Sequence, residues 1–264
     1  MMPTIQEVMN ALIKPVGEVP ETVDTLKTGN PEERVKGIAV SFMPTHSVIE
    51  KAAGLGANLL ITHEPLFYNH RDDPAGLGDD PVYLQKAQMI KDAGISVFRF
   101  HDYWHRYKPD GIMAGLLQAL DWQDIVEEHR TAATFVNLPG MTVAEVAAHV
   151  KQSLGISFVR VTGNESAICQ RAALLAGYRG GGAHCLPLFN EENVDLILYG
   201  EGPEWETPEY VRDAVYQGKQ KALLVLGHAE SEEPGMRHLA GQIRKLFPEV
   251  PVHFVEEKPV FRLL

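Results

Sequence analysis

Four histidines and three glutamates stand just beyond short apolar runs of this 264-residue chain. NLLIT runs into His63-Glu64, and ISVFRF runs into His101-Asp102, with His105 close behind. VDLILYG ends at Glu201, and ALLVLG ends at His228, followed by Glu232. Imidazole and carboxylate together suit divalent transition ions such as Zn, Fe, Mn or Ni. The spacings His101-x-x-x-His105 and His228-x-x-x-Glu232 bring two side chains to one side if each segment makes a helical turn. A tight loop can do the same. Adjacent residues such as His63 and Glu64 point opposite ways in an extended strand, so they could address two neighbouring ions. A two-metal site, with ions ~3.5–4 Å apart, fits this supply of ligands. One histidine at a strand end is ordinarily structural. Four of the 11, gathered with two glutamates at three strand ends, point to a metal centre.

The elements that must position these residues alternate. Thr4 caps a helix with Ile5, Val8, Met9, Leu12 and Ile13 on one face, and Glu7 completes a capping box. A polar stretch rich in Pro and Gly, PVGEVPETVDTLKTGNPEE, reads as a loop. Then come strand VKGIAVSF, helix PTHSVIEKAAGLGA capped by Thr45, and strand NLLIT. A long loop, helix PVYLQKAQMIKDAG, strand ISVFRF and a helix from near Pro109 follow. The second half repeats the theme, from strand TAATFVNL through helices TVAEVAAHVKQSLG and TPEYVRDAVYQG to helix PGMRHLAGQIRKLF and strand VPVHFVEE. This β–α alternation predicts an α/β fold of two similar lobes with mixed, largely parallel sheets, residues 1–128 and 129–264. The C-terminal segment could pack back on the first lobe. In such sheets ligands bind at the carboxyl ends of the strands, where the histidines stand.

Composition narrows the function classes. Lys plus Arg is 24 against 35 Asp plus Glu, a formal charge of −11. That balance argues against a protein that coats nucleic acid. No apolar run approaches the ~20 residues of a membrane helix, and no secretory signal is visible, so the expected location is the cytoplasm. Two cysteines, Cys169 and Cys185, are too few and too far apart for a zinc knuckle. HEPLFYNH is not H-E-x-x-H. The run Arg179-Gly180-Gly181-Gly182 lacks a phosphate-loop frame and reads as a flexible turn. Glu204, Glu206 and Glu209 read as the charged, capped start of a helix. His46 and His70 are expected on the surface or behind the ligands, and His129, His149, His238 and His253 in structural roles.

Four segments resemble the NIF-three-like family, whose members are labelled GTP cyclohydrolase 1 type 2 homologues or dinuclear metal-centre hexameric proteins. They are GIAVSFMPTHSVIEKAAGLGANLLITHEPLFY, GISVFRFHDYWHRYKPDGI, VDLILYGEGPEWETPEYVRDA and ALLVLGHAESEEPGMRHLA. The resemblance covers nearly the whole chain and is to the short form without an inserted domain. His63 matches the first histidine of the family's I-T-H-H-P-L motif, and Glu64 replaces the second. His101 matches the histidine of H-T-N-x-D, and His105 stands where the metal-binding aspartate is expected. His228 and Glu232 match G-H-x-x-x-E.

The resemblance implies metal ligands at His63, Glu64, His101, His105, His228 and Glu232, with about two divalent ions per chain. It also implies interlocked lobes with the metals in a cleft between them, and a toroidal homohexamer. Two functions follow. One is a metal-dependent hydrolase of a small polar substrate, nucleotide- or phosphate-containing, in which Glu232 or an uncoordinated His101 moves the proton. Anionic substrates would then need local cations, with Arg99, Arg106 and Arg179 available. The other is a non-enzymatic metal-binding or oligomeric regulatory protein.

Overall fold

The computed structural model describes residues 2–264. The chain is divided into two compact units: residues up to Gly111 together with Met236–Leu264, and Ile112–Gly235.

The first unit opens with α1 (Ile5–Ile13). Thr4 accepts a hydrogen bond from the Glu7 amide, and Glu7 returns one to the Thr4 amide, completing the capping box. Next come β1 (Leu26–Thr28), β2 (Ile38–Ser41), α2 (His46–Gly54) and β3 (Leu59–Thr62). After them follow α3 (Pro81–Ala93), β4 (Ser96–Arg99) and the short α4 (Asp102–Arg106). The second unit takes most of α5 (Gly111–Leu120), then β5 (Val126–His129), β6 (Thr134–Thr142) and α6 (Val143–Leu154). It continues through β7 (Arg160–Thr162), β8 (Ile168–Leu175), α7 (Gly182–Asn190) and β9 (Leu196–Tyr199). The chain then runs through α8 (Thr207–Tyr216), β10 (Ala222–Val225), α9 (His228–Leu246) and β11 (Val252–Phe254). The unit boundaries fall inside α5 and α9, and β11 pairs with β2 in the first unit.

The first sheet has the order β1-β4-β3-β2-β11, with β4, β3, β2 and β11 parallel and β1 antiparallel at the edge. Every residue of β2, β3 and β4 is buried, as expected where helices cover a parallel sheet. Val48, Ile49 and Ala52 of α2 and Ile90 of α3 pack with Ala39, Leu60 and Val97. The second sheet has the order β5-β6-β8-β9-β10-β7 and is mixed, with β8, β9 and β10 parallel. Its core joins Phe135, Leu175, Ile197 and Leu223 to Leu188 and Phe189 of α7 and Val211 of α8. The α/β class and the two sheet-bearing lobes agree with the expectation from sequence.

Several local readings need correction. The segment read wholly as loop contains β1, whose three half-buried residues gain strand form only by pairing with β4. The Gly-rich run is not a free turn. Gly181 is the N-cap of α7, a helix hidden in sequence because it starts at Gly182 and contains Pro187. Glu206 stands at the N-cap of α8 without capping it, and its carboxylate accepts the Gly182 amide at 2.6 Å. α9 begins at His228 rather than near Pro234 and carries the proline within it.

Candidate metal centre

Parallel register sets the first cluster. Thr62, the last residue of β3, pairs with Arg99, the last of β4, so His63 and His101 leave adjacent strands at their carboxyl ends. His63 is fully buried. α4 follows at once, and its single turn brings His105 back beside His101. The His63 and His101 rings lie 4.4 Å apart, His63 and His105 4.9 Å, and His101 and His105 5.0 Å. One ring nitrogen from each of the three lies within 4.8 Å of the others.

Each ring is held by the nitrogen nearer its backbone. His101 Nδ1 meets Asp102 Oδ1 at 2.9 Å, and His105 Nδ1 meets Asp110 Oδ2 at 2.8 Å. His63 Nδ1 meets the Phe100 carbonyl at 3.3 Å. A carboxylate or carbonyl only accepts, so Nδ1 donates in all three, and the neutral tautomer carries its lone pair on Nε2. This is the arrangement that orients histidines for metal binding.

The acidic residues behind the rings are themselves fixed. Asp24 Oδ1 accepts the His101 and Asp102 amides at 2.8 and 3.0 Å, and Oδ2 accepts the Tyr103 amide at 2.8 Å. It thus caps α4, whose own N-cap residue, His101, makes no side-chain capping bond. Asp102 Oδ2 accepts Thr22 Oγ1 at 2.9 Å and the Val23 amide at 3.1 Å. The hydrogen bond from His101 is the largest influence holding the Asp102 carboxyl far below the usual carboxylate range, followed by Val23 and Thr22, against the opposing effect of burial.

Arg99 corrects the sequence reading. It is not available to a substrate: it is wholly buried and fixes the strand-end loop. Its Nε donates to the His63 carbonyl at 3.1 Å and one terminal nitrogen donates to the His70 carbonyl. Its guanidinium lies 3.7 Å from Glu64 and 3.6 Å from Asp72. A guanidinium stays charged, so its burial requires these partners. Glu64 therefore stands beside Arg99, with a carboxylate oxygen also within 4.8 Å of a His63 ring nitrogen. The His70 ring lies 5.6 Å from His101, and its pKa is lowered by burial first and then by Arg99 and His101.

The second unit holds a second, smaller cluster. His228 opens α9, its Nδ1 is 3.0 Å from Glu201 Oε2 and its Nε2 is 3.2 Å from Glu232 Oε2. Glu232 is buried. Ser231 Oγ accepts the Gly177 amide at 2.9 Å and donates to the His228 carbonyl at 2.8 Å, tying the turn after β8 to the start of α9. Gly177 has φ +71°, and a Cβ there would run into the Glu232 carboxylate. Only glycine meets both conditions.

The sequence reading notes Asp102 and Glu201 as strand-end acids without a role. It passes over Asp24 and Asp110 altogether. Asp110 lies five residues past His105, which is a usable signal. Asp24 lies 77 residues from His101 and carries none. Three further histidines have partners within the fold. His129 Nδ1 meets Thr134 Oγ1 at 2.9 Å, His149 stacks on Trp122, and His238 stacks on Trp104.

The donor set fits a divalent transition ion: three imidazoles with fixed tautomers in one unit, and an imidazole with a carboxylate in the other. Comparison with known proteins agrees with this fold. A family model for Duf34/NIF3 (NGG1p interacting factor 3) matches residues 5–259. A GTP cyclohydrolase 1 type 2 homolog of Clostridium perfringens is 24% identical over 241 residues, covering 88% of this chain and 87% of the relative. The crystal structure of a Bacillus cereus protein related to NIF3 superposes with a TM-score of 0.81 at 15% identity over 100% of both chains. A Staphylococcus aureus hypothetical protein gives 0.79 at 16%, again over 100% of both chains. At such identities these structures speak for the fold. Among the described residues no helix is long and apolar enough to cross a membrane. With its family match running from near the first residue to near the last, the chain belongs to the Duf34/NIF3 family.

Proposed function

We propose that the protein is a divalent-metal-dependent hydrolase acting on a small polar substrate that contains a phosphate or nucleotide group. One observation carries the reading: His63, His101 and His105 converge, and each donates Nδ1–H to a fixed acceptor, which places the lone pair on Nε2. Hydrogen-bonding histidines with no other task need not gather in this way. His63, His101 and His105 hold an ion in the first unit, with Glu64 beside them, and His228 with Glu232 supplies a ligand pair in the second. A bound divalent ion supplies Lewis acidity and brings the pKa of water toward ~7.

The chain's own residues then orient and move protons. Asp102 and Asp110 keep two imidazoles in the metal-binding tautomer. Arg99 fixes the backbone at His63. Glu232, buried beside His228, is the proposed proton carrier, and His101 serves as ligand rather than base because Asp102 holds its second nitrogen. The family resemblance extends the proposal to two ions per chain and a cytoplasmic homohexamer, which sedimentation tests directly.

The test is turnover. Chelator-stripped protein is reloaded with single metals and offered phosphoesters, nucleotides and cyclic amides. GTP belongs in the panel because the curated relatives carry a cyclohydrolase name. Turnover that returns with metal and is lost in His63→Ala supports the reading. Tight stoichiometric metal without turnover replaces it with the non-enzymatic metal-binding function.

A further inference from the structure

We infer that Tyr178 and Trp205 form a stacking platform for a planar heterocycle of the nucleobase type, set beside His228 and Glu232. The inference rests on the proposed hydrolase and deepens it. It names the ring, rather than the phosphate, as the part of the substrate that the second unit reads.

Both residues stand on loops at the carboxyl ends of neighbouring parallel strands, β8 and β9, the edge at which open α/β sheets hold their ligands. Tyr178 is 62% exposed and Trp205 77%, and among the described residues neither ring stacks on another. One exposed ring is ordinary. Two of them, on pinned segments that touch, require a partner. Gly202 packs so closely on Gly180 that a Cβ there would lie 2.6 Å from the Gly180 carbonyl carbon. Around Tyr178, the Gly177 amide donates to Ser231 Oγ at 2.9 Å. The Glu201 amide donates to the Gly177 carbonyl and the Gly180 amide to the Glu201 carbonyl, each at 2.9 Å. Around Trp205, Glu204 pairs with Arg160 at 2.6 Å, and Glu206 accepts the Gly182 amide at 2.6 Å. Thr207 Oγ1 donates to the Gly180 carbonyl at 2.7 Å. The backbone is fixed before any ligand arrives, so stacking on these rings costs little further ordering.

Position and charge select the occupant. Gly177 abuts the Glu232 carboxylate, and Glu201 meets His228 Nδ1 at 3.0 Å, so the loops that carry the two rings also border the second cluster. A heterocycle stacked here is held beside the proposed ligand pair. A phosphate finds no seat at the start of α7, because Glu206 already occupies the Gly182 amide. Glu201, Glu204 and Glu206 make the loop after β9 acidic, which disfavours a bare anion and tolerates an uncharged ring. Stacking on tyrosine and tryptophan accepts every base, so the class is set and the individual base is not.

The test reads binding by the full-length protein and is separate from turnover. Trp205 is the exposed tryptophan of the three, since Trp104 and Trp122 are buried, so it supplies the long-wavelength emission. Guanosine and adenosine are titrated against that emission, with ribose 5-phosphate and inorganic phosphate as controls. Saturable quenching by both nucleosides and by neither control is expected. Equilibrium dialysis with labelled guanosine then compares variants. Trp205→Leu and Tyr178→Leu are each expected to weaken binding about 5–150-fold, and Trp205→Phe much less. Their melting temperatures should match wild type, because the altered rings are exposed. No nucleoside binding at millimolar concentration, ribose 5-phosphate binding as tightly as guanosine, or unchanged binding in both leucine variants overturns the inference. So does Trp205 emission already shielded from acrylamide in the free protein, since a second copy would then cover the platform. The titrations and the acrylamide measurement need only the wild type, so a misfolded variant does not rescue it. Metal-dependent turnover without nucleoside binding removes this inference and leaves the hydrolase. Nucleoside binding without turnover leaves the platform and removes the hydrolase.

Discussion

Replacing Asp102 with Asn tests how the fold sets the chemistry of His101. The carboxylate accepts on both sides: His101 Nδ1 at 2.9 Å on one oxygen, Thr22 Oγ1 and the Val23 amide on the other. An asparagine of the same shape has one accepting oxygen and one donating nitrogen. The Val23 N–H cannot turn away, so the amide oxygen must face it and the NH2 must face His101. His101 Nδ1 then has to accept, and the ring proton moves to Nε2, the nitrogen that would bind metal. Loss of such an orienting carboxylate costs about 10–100-fold in metal affinity, or roughly 1.4–2.8 kcal/mol. Folding is affected less, because the bonds to Thr22 and Val23 persist through the amide oxygen. The assay is zinc competition against a chromophoric chelator, with a thermal melt as control. Thr22→Val, which loosens the same loop without touching the imidazole, is expected to leave zinc affinity near wild type. Asp102→Asn protein that melts like wild type and binds zinc within about twofold of it would refute the tautomer argument.

Lys86 provides a pH-dependent prediction. Its ammonium is buried, donates to the Leu66 carbonyl at 2.6 Å and lies 5.2 Å from the Tyr68 ring. Burial lowers its pKa from 10.5 to about 8, partly offset by Asp72. Between those values the unfolded chain holds more protons, so this group's contribution to stability rises with pH from about 8 to 10.5, by up to ~1.4 kcal/mol per pH unit. The stability difference between wild type and Lys86→Met, from urea titrations, should move in favour of wild type across that window and stay flat below it. Gly177→Ala places a methyl against Glu232 at a left-handed φ of +71°. Backbone strain of about 1–2 kcal/mol and displacement of the Glu232 carboxylate are expected, seen as a lowered melting temperature and weaker metal binding by the second cluster. Cys169 and Cys185 are buried, with thiol pKa values pushed up to about 11. Ellman's reagent at neutral pH is expected to find no fast thiol in the native protein and both after denaturation.

The parts legible in sequence are those with a local signal. The buried strands β2, β3 and β4 are short apolar runs, and the histidines directly follow two of them. The capping box at Thr4 sits where the sequence places it. The helical spacing of His101 and His105 carries their convergence. What sequence hides depends on distant pairing. Asp24 caps a helix from 77 residues away, and β1 exists only against β4. α7 begins on glycines and contains a proline, so its propensity argues against the helix that packing stabilises. Arg99 looks like a cation for substrates because its type is visible and its burial is not. The same charge, wholly buried, becomes the peg that holds the backbone at His63 and His70.

The most direct measurement is anomalous diffraction from a crystal of the full-length protein soaked in zinc, with data collected on both sides of the zinc edge. The account predicts an anomalous peak bonded to Nε2 of His63, His101 and His105, with Asp102 and Asp110 still on the Nδ1 atoms of the latter two. Zinc density elsewhere, with these three rings left without an ion, would contradict it.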